Sequence, residues 1–310
     1  MIPVAIIGAG VAGLACARRL VAGGIQPVLF DKGRGIGGRV ATRRVQDLQF
    51  DHGAQFVTAR NAPFSALLQD LAASGAAAPW DDGTDLAKTV GRPGMSALAK
   101  AMAAGLDIRQ NAQVTSILPA KNGWVLCVGG TEQLAARVIV TVPAPQVAGL
   151  LGAEHPLIGA LAAVRMAPCL TLMAAVRGAA PFVTHTDPNA ALAWVAQDSS
   201  KPGRPQGEAV AWVAQAGQAF SEKHLEQTPA DITALMLPLL CDLLGVSSGA
   251  VTHADAHRWR YARVTQALGL PFLRSQDASL YLGGDWCIGP RVEAAWDSGV
   301  AIAADLLAQS

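Results

Sequence analysis

The chain opens on an apolar run without a polar face. Ile2-Pro3-Val4-Ala5-Ile6-Ile7 has the pattern of a strand covered on both sides in a parallel sheet. Residues 14–22 have helical composition, and residues 26–30 form a second apolar strand that stops at Asp31. Helical patterning returns over residues 63–74 and 96–102. The stretch between, 75–91, reads as a loop whose Asp81 and Asp82 are solvated. Strands are predicted around 107–109, 113–118, 124–128 and 137–142, and Pro143-Ala144-Pro145 halts the sheet at an expected domain crossing. Residues 192–197 and 210–215 are near-copies around a Gly- and Pro-rich segment, which predicts a hairpin. Thr228-Pro229-Ala230-Asp231 carries a helix start, with a capping hydroxyl, proline at the first helical position and an acid in the first turn. Pro238 is expected to bend that helix. A strand over 251–261 places His253, Asp255 and His257 on one face. Such a face could bind a divalent ion, but a half-exposed strand feeding the core is the preferred reading, and no metal is assigned. A last strand around 279–284 and a helix from about 291 to 308 close the chain.

Composition narrows the class. At 310 residues, 51% hydrophobic and 15% charged, the chain suits a globular enzyme of two domains, not a disordered protein. Lys and Arg number 24 against 23 Asp and Glu, so no global charge points to nucleic acid or a membrane surface. The five cysteines are scattered without a C-x-x-C pair, which fits a reducing cytoplasm better than a disulfide framework. No apolar window reaches membrane-spanning length without a charge or proline.

The chemistry begins in the first turn. Gly8-Ala9-Gly10-Val11-Ala12-Gly13 lies between strand and helix, with Asp31 about twenty residues on. Gly8 permits the sharp turn, Gly10 lets backbone approach a pyrophosphate, and Gly13 lets helix and strand pack closely. Unpaired N–H groups at the positive helix end would hold the pyrophosphate. Asp31 can accept from the ribose hydroxyls. This half-site serves NAD and FAD alike. A second glycine loop, Lys32-Gly33-Arg34-Gly35-Ile36-Gly37-Gly38-Arg39, precedes no regular helix, and a forked guanidinium there suits a diphosphate clamp.

Asp31 followed by Gly37-Gly38-Arg39 and Thr42 resembles the signature of flavin amine oxidoreductases. Asp51-His52-Gly53-Ala54-Gln55-Phe56-Val57-Thr58-Ala59-Arg60 is similar to a segment of the renalases, small members of that superfamily. The likeness continues in Gly91-Arg92-Pro93-Gly94-Met95, in Trp259-Arg260-Tyr261-Ala262, and in Gly283-Gly284-Asp285-Trp286 with Arg291-Val292-Glu293-Ala294-Ala295-Trp296-Asp297-Ser298-Gly299. It is thin from 151 to 250.

The resemblance implies an α/β, two-domain FAD-binding fold of the glutathione-reductase/amine-oxidase type: a Rossmann-like FAD domain and a smaller α+β substrate domain with a mixed sheet. The expected FAD domain spans 1–62, 91–144 and 275–310, and the substrate domain 63–90 and 145–274. It implies FAD contacts at Gly8, Gly10, Ala12, Gly13, Asp31, Lys32, Gly38, Arg39, Gln55, Phe56, Val114, Gly284, Asp285 and Val292, the last at a helix start whose positive end favours reduced, anionic flavin. Substrate would meet Phe56, Thr58, Ala59, Arg60, Cys169 and Arg291, with Arg60 and Arg291 holding phosphates.

Renalases oxidise dihydronicotinamide isomers of NAD(P), passing hydride to FAD and then electrons to oxygen, with release of peroxide. The residue inventory suits this, because a dihydropyridine nitrogen already expels the hydride and no base or nucleophile is needed. No G-x-S-x-G or H-E-x-x-H motif occurs. A flavin amine oxidase is the second reading. Against it stand only two tyrosines, Tyr261 and Tyr281, and no lysine in the substrate-like motifs. A non-catalytic flavin carrier is the third.

Overall fold

The computed structural model describes residues 1–178 and 180–309. Its larger sheet has eight strands built around Ile2–Ile7. That strand pairs in parallel with Val28–Phe30 on one side and Thr131–Val140 on the other, Ile6 lying opposite both Leu29 and Ile139. Asp107–Arg109 and Leu280–Leu282 extend the parallel part. Gly123–Val128, Val114–Ala120 and Leu273–Arg274 join by antiparallel pairings, so this sheet is mixed. The missing polar face of the first strand has the expected cause. Val4 and Ile6 enter one core with Leu14, Leu29 and Ile302, while Ala5 and Ile7 enter another with Val138, Leu280 and Trp286.

The smaller sheet has five strands in the order Thr184–Thr186, Leu192–Gln197, Ala209–Ala216, Arg165–Arg177, Val251–Gln266. The expected mixing of strand directions therefore sits in the large sheet. Every pairing in the smaller one is antiparallel. The near-copies at 192–197 and 210–215 do form a hairpin pair. Helix Pro229–Leu244 covers one face with Ile232, Met236, Leu240 and Leu244. It starts at a Thr228/Asp231 capping box and runs on through Pro238. On the opposite face Met173, Ala175 and Val213 pack on Phe50 of strand Leu48–Asp51.

One local reading fails. The stretch 75–91 contains an antiparallel pair, Ala77–Trp80 with Lys88–Gly91. Asp82 is not solvated there but buried, with its carboxylate on Lys88, Thr84 and Thr184. The partner that neutralises it lies across the turn, and Thr184 lies about a hundred residues away.

Two helices fix the centre of the molecule. Val11–Ala22 packs along Val292–Ala308. A Cβ on Gly13 would overlap the carbonyl oxygen of Gly8, and one on Gly299 would overlap that of Ala12. Backbone therefore lies on backbone at the start of the first helix. No described helix is long and apolar enough to cross a membrane.

Substituting Gly299→Ala forces these helices apart and should lower stability by about 3 kcal/mol, the upper end for overpacking against rigid atoms. Gly149→Ala, in helix Ala144–Leu151 with nothing within 4 Å of the new methyl group, should be neutral or stabilising. Urea midpoints of the two variants check the contrast.

Candidate active site

A cavity of roughly 1650 Å³ separates the two sheets, well above the ~300–1,000 Å³ of ordinary small-molecule pockets. At one end it is lined by Gly8, Gly10, Ala12, Asp31, Lys32 and Val114. The helix beginning at Val11 has no side-chain cap and no acid in its first turn, so its free N–H groups and positive end face this space. A Cβ on Gly10 would meet nothing within 4 Å and would point into ligand space. Asp31 accepts from Ala9 N and Gly33 N at 2.7 Å each, which ties the first glycine turn to the second. Gly13 lies behind the turn and does not line the cavity.

The second glycine loop reaches further in. Gly38 and Arg39 line the cavity with Gly284 and Asp285. Arg39 forks onto Asp285, Nη1 to Oδ2 at 2.7 Å and Nη2 to Oδ1 at 2.6 Å, and donates to the Ala262 carbonyl at 2.9 Å. The expected diphosphate clamp is thus already paired. Its charge is offset by a carboxylate from the opposite end of the chain, and the pair closes the cavity floor.

Gln55, Phe56 and Thr58 line it together with Ala167, Cys169, Trp194, Gln215, Trp259 and Tyr261 of the small sheet, the rings of Phe56 and Trp194 lying 5.7 Å apart. Arg291 and Val292 sit at the rim. Ala59 and Arg60 do not line the cavity. They are exposed, and the Arg60 amide donates to Glu293 Oε1 at 2.8 Å. Arg291 pairs with Glu293 and leaves Nη1 buried without a partner among the described residues. Burial and then the Arg60 guanidinium lower its pKa, against the pull of Asp297. Cys169 is a neutral thiol at pH 7, since burial pushes it up to about 11.

Behind Gln55 lies a charged cluster that the sequence pattern did not reveal. Lys201 Nζ donates to Asp198 at 2.6 Å and to Gln55 Oε1 at 3.1 Å, and it lies 3.5 Å from Asp51. Arg204 pairs with Asp51 and donates to the carbonyls of Gly91 at 2.9 Å and Pro93 at 2.7 Å. All four charged side chains are at most 1% exposed. Burial pushes Asp51 upward, yet Lys201 and Arg204 outweigh it and hold the carboxyl below the usual range. For Asp198 burial wins and the carboxyl is raised. Lys201 and Arg204 belong to a Gly- and Pro-rich stretch that reads as a surface loop. Asp198 is three residues from Lys201, but only the fold brings Asp51 to them.

The His253–Asp255–His257 face also has partners. His253 stacks on Phe50 at 5.7 Å, Asp255 pairs with Arg43, and His257 lies 3.4 Å from the same arginine. Among the described residues no group of three His, Cys, Asp or Glu side chains is placed to hold a metal ion. His52 stacks on Trp259 at 5.4 Å and meets His257 edge-on at 4.9 Å, and its carbonyl accepts from Trp259 Nε1 at 2.7 Å.

Comparison with known proteins agrees with this geometry. The model of the flavin-containing amine oxidoreductase family matches residues 74–307, and that of an NAD(P)-binding Rossmann-like domain matches residues 6–71. Among solved structures, a protein provisionally named protoporphyrinogen oxidase from Exiguobacterium sp. 255-15 superposes with TM-score 0.82 at 12% identity, covering 99% of both chains. Cyclohexylamine oxidase from Brevibacterium oxydans IH-35A gives 0.77 at 12%, covering 99% of both chains. A single-substitution variant of putrescine oxidase gives 0.78 at 14%, covering 100% of this chain and 99% of that one. These likenesses show the two-domain amine-oxidase-type fold. The chain belongs to the flavin-containing amine oxidoreductases, and its cofactor is FAD. The cavity fits that group, with an uncapped helix end and an open Gly10 for a pyrophosphate and Asp31 beside the same turn.

Removing one partner of this half-buried fork is costly. Arg39→Met strands Asp285 and should cost about 1–2 kcal/mol, with FAD lost on gel filtration as the readout. A second outcome concerns pH. Burial first, then His257 and Arg43, lower the His52 pKa from 6.5 to about 4. The unfolded chain therefore takes up that proton first, and stability falls as pH drops from about 6.5 to about 4. His52→Phe, which retains a ring on Trp259, should flatten thermal-denaturation midpoints across that window.

Proposed function

We propose that this oxidoreductase is renalase-like. It oxidises 2- or 6-dihydro isomers of NAD(P) to NAD(P)+, with oxygen as final acceptor and hydrogen peroxide as product. The observation that carries the reading is the sign of charge in the cavity. Lys32, Arg39, Arg258, Arg260, Arg263 and Arg291 line it, whereas among the described residues its acids are Asp31 and Asp285, both at the cofactor end. Arg258 and Arg260 share Glu226 and Arg291 pairs with Glu293, but Arg263 has no such acid among the described residues. A rim of this kind suits the phosphates of a second dinucleotide, and the volume has room for one beside the cofactor.

Bound flavin supplies the two-electron acceptor and its reaction with oxygen. The chain's own task is alignment. Phe56, Thr58 and Cys169 would face the donor ring, and Arg291 with Arg60 would meet its phosphates at the mouth. Gln55 is held immobile by its bonds to Lys201 and to the carbonyls of Asp51 and Gly53. A base is not required of these residues, because the ring nitrogen of a dihydropyridine drives hydride loss. We assign the cofactor domain to 1–62, 91–144 and 275–310 and the substrate domain to 63–90 and 145–274. The two sheets support this division except at Leu273–Arg274, which pairs with Leu280–Leu282 of the large sheet.

A second reading, oxidation of a small amine, is favoured by Phe56, Trp194, Trp259 and Tyr261 on the cavity wall. These rings could surround an organic cation, although no carboxylate joins them among the described lining residues.

Anaerobic mixing decides between them. The holoenzyme's yellow absorbance should bleach with the 2- or 6-dihydro isomers and persist with ordinary NADH and with benzylamine or putrescine. Bleaching by the amines and not by the isomers would overturn the proposal.

A further inference from the structure

The aromatic wall hides a charge. Lys88 Nζ lies 5.1 Å from the ring centroid of Phe56 and 5.8 Å from those of Trp80 and Trp194. Phe56 and Trp194 line the cavity, while Lys88 and its partner Asp82 do not. The lysine side chain is 3% exposed and that of Asp82 1%. Two rings thus stand between a sealed ammonium and the substrate space. Asp82 is fixed in turn by hydroxyls, Thr84 Oγ1 at 2.7 Å and Thr184 Oγ1 at 3.0 Å.

Packing alone gives no reason for a charge here. A buried Lys–Asp pair is costly to desolvate, and apolar side chains of similar volume are often as stabilising or more so. The consequence of the charge lies in the rings. An aromatic face attracts a cation through its quadrupole, and here each ring already has a cation close to it on the protein side. Electron density is drawn toward Lys88, and a second cation on the cavity side would face a like charge through the ring. Asp82 offsets part of that repulsion. It does not remove it, because the ammonium itself lies 5.1 Å from the Phe56 ring.

We infer that Lys88, backed by Asp82, is a specificity-determining residue that turns the Phe56–Trp194 wall against organic cations and toward uncharged planar rings. The same aromatic residues would otherwise form a cage for an ammonium group. This deepens the reading above and rests on it for what the wall admits, an uncharged dihydropyridine in place of a protonated amine.

Two probes of nearly equal shape, benzyl alcohol and benzylammonium, test the inference through their perturbation of the flavin spectrum in the holoenzyme at pH 7. The wild type should bind the alcohol more tightly. Replacing the pair by D82N/K88Q, a neutral hydrogen-bonded pair of similar size, should shift the cation-to-alcohol affinity ratio toward the cation by roughly three- to tenfold. D82N/K88M serves in place of D82N/K88Q if the latter does not fold. An unchanged ratio in the neutralised pair, or a wild-type preference for the cation, overturns the inference. If the ratio is unchanged while the dihydronicotinamide isomers still bleach the enzyme, only the role of Lys88 falls.

Discussion

Backbone pressed on backbone at the start of the first helix is the constraint on which the rest of this structure depends. Gly13 lies against the Gly8 carbonyl and Gly299 against that of Ala12, with no space for a side chain at either contact. The strand Ile2–Ile7, the helix Val11–Ala22 and the helix Val292–Ala308 therefore meet within one turn of each other. This meeting sets the uncapped end of the first helix against the third turn of the last, whose start at Val292 lines the same cavity. Asp31 and Asp285, more than 250 residues apart in the chain, become two ends of one site. The uncapped end of the first helix offers its N–H groups to negative charge, while the last helix already carries the buried Glu293 carboxylate in its first turn.

Buried charge, more than apolar contact, holds the loops that complete the cavity. Arg39 closes the floor through Asp285. Lys201 and Arg204 fasten the segment after Gln197 to Asp51 and to the carbonyls around Pro93. Lys88 and Asp82 fasten the small hairpin at 77–91 to the edge strand at Thr184. Such pairs add little net stability over apolar packing, but breaking one is costly because the other charge is left stranded. They fix geometry, and they do so where irregular backbone lines a cavity and a greasy contact would slide. Each spans the boundary between the large and small sheets or borders it, so the substrate wall is held in register with the cofactor floor.

The parts legible in the sequence are those with short-range signatures. The first turn is readable because strand, glycines, helix and acid follow one another within about thirty residues. The hairpin at 192–216 is readable from its duplicated strands, and the helix at Pro229 from its cap. Asp82 misled because acids beside a glycine usually face water, and its lysine partner is hidden by the turn between them. Lys201 and Arg204 were illegible for the same reason at longer range, since Ser199–Gly207 has the composition of a solvated loop and Asp51, which they share with the adjacent Asp198, lies about 150 residues away. Neighbouring strands of the small sheet are antiparallel throughout, and the crossover helix Pro229–Leu244 joins Ala209–Ala216 to Val251–Gln266, which run parallel to each other on either side of Arg165–Arg177. Arg39 shows a subtler limit. Its motif predicts proximity to a diphosphate, but not that Asp285 already holds the guanidinium.

The most direct measurement of the account is equilibrium uptake of flavin by the stripped protein, FAD compared with FMN. A cradle built from the first turn and Asp31 recognises the adenosine and diphosphate half, which FMN lacks. The account predicts binding of one FAD per chain, with FMN weaker by at least about a hundredfold, roughly 2.7 kcal/mol. Equal affinity for the two, or no uptake of FAD at all, would contradict it.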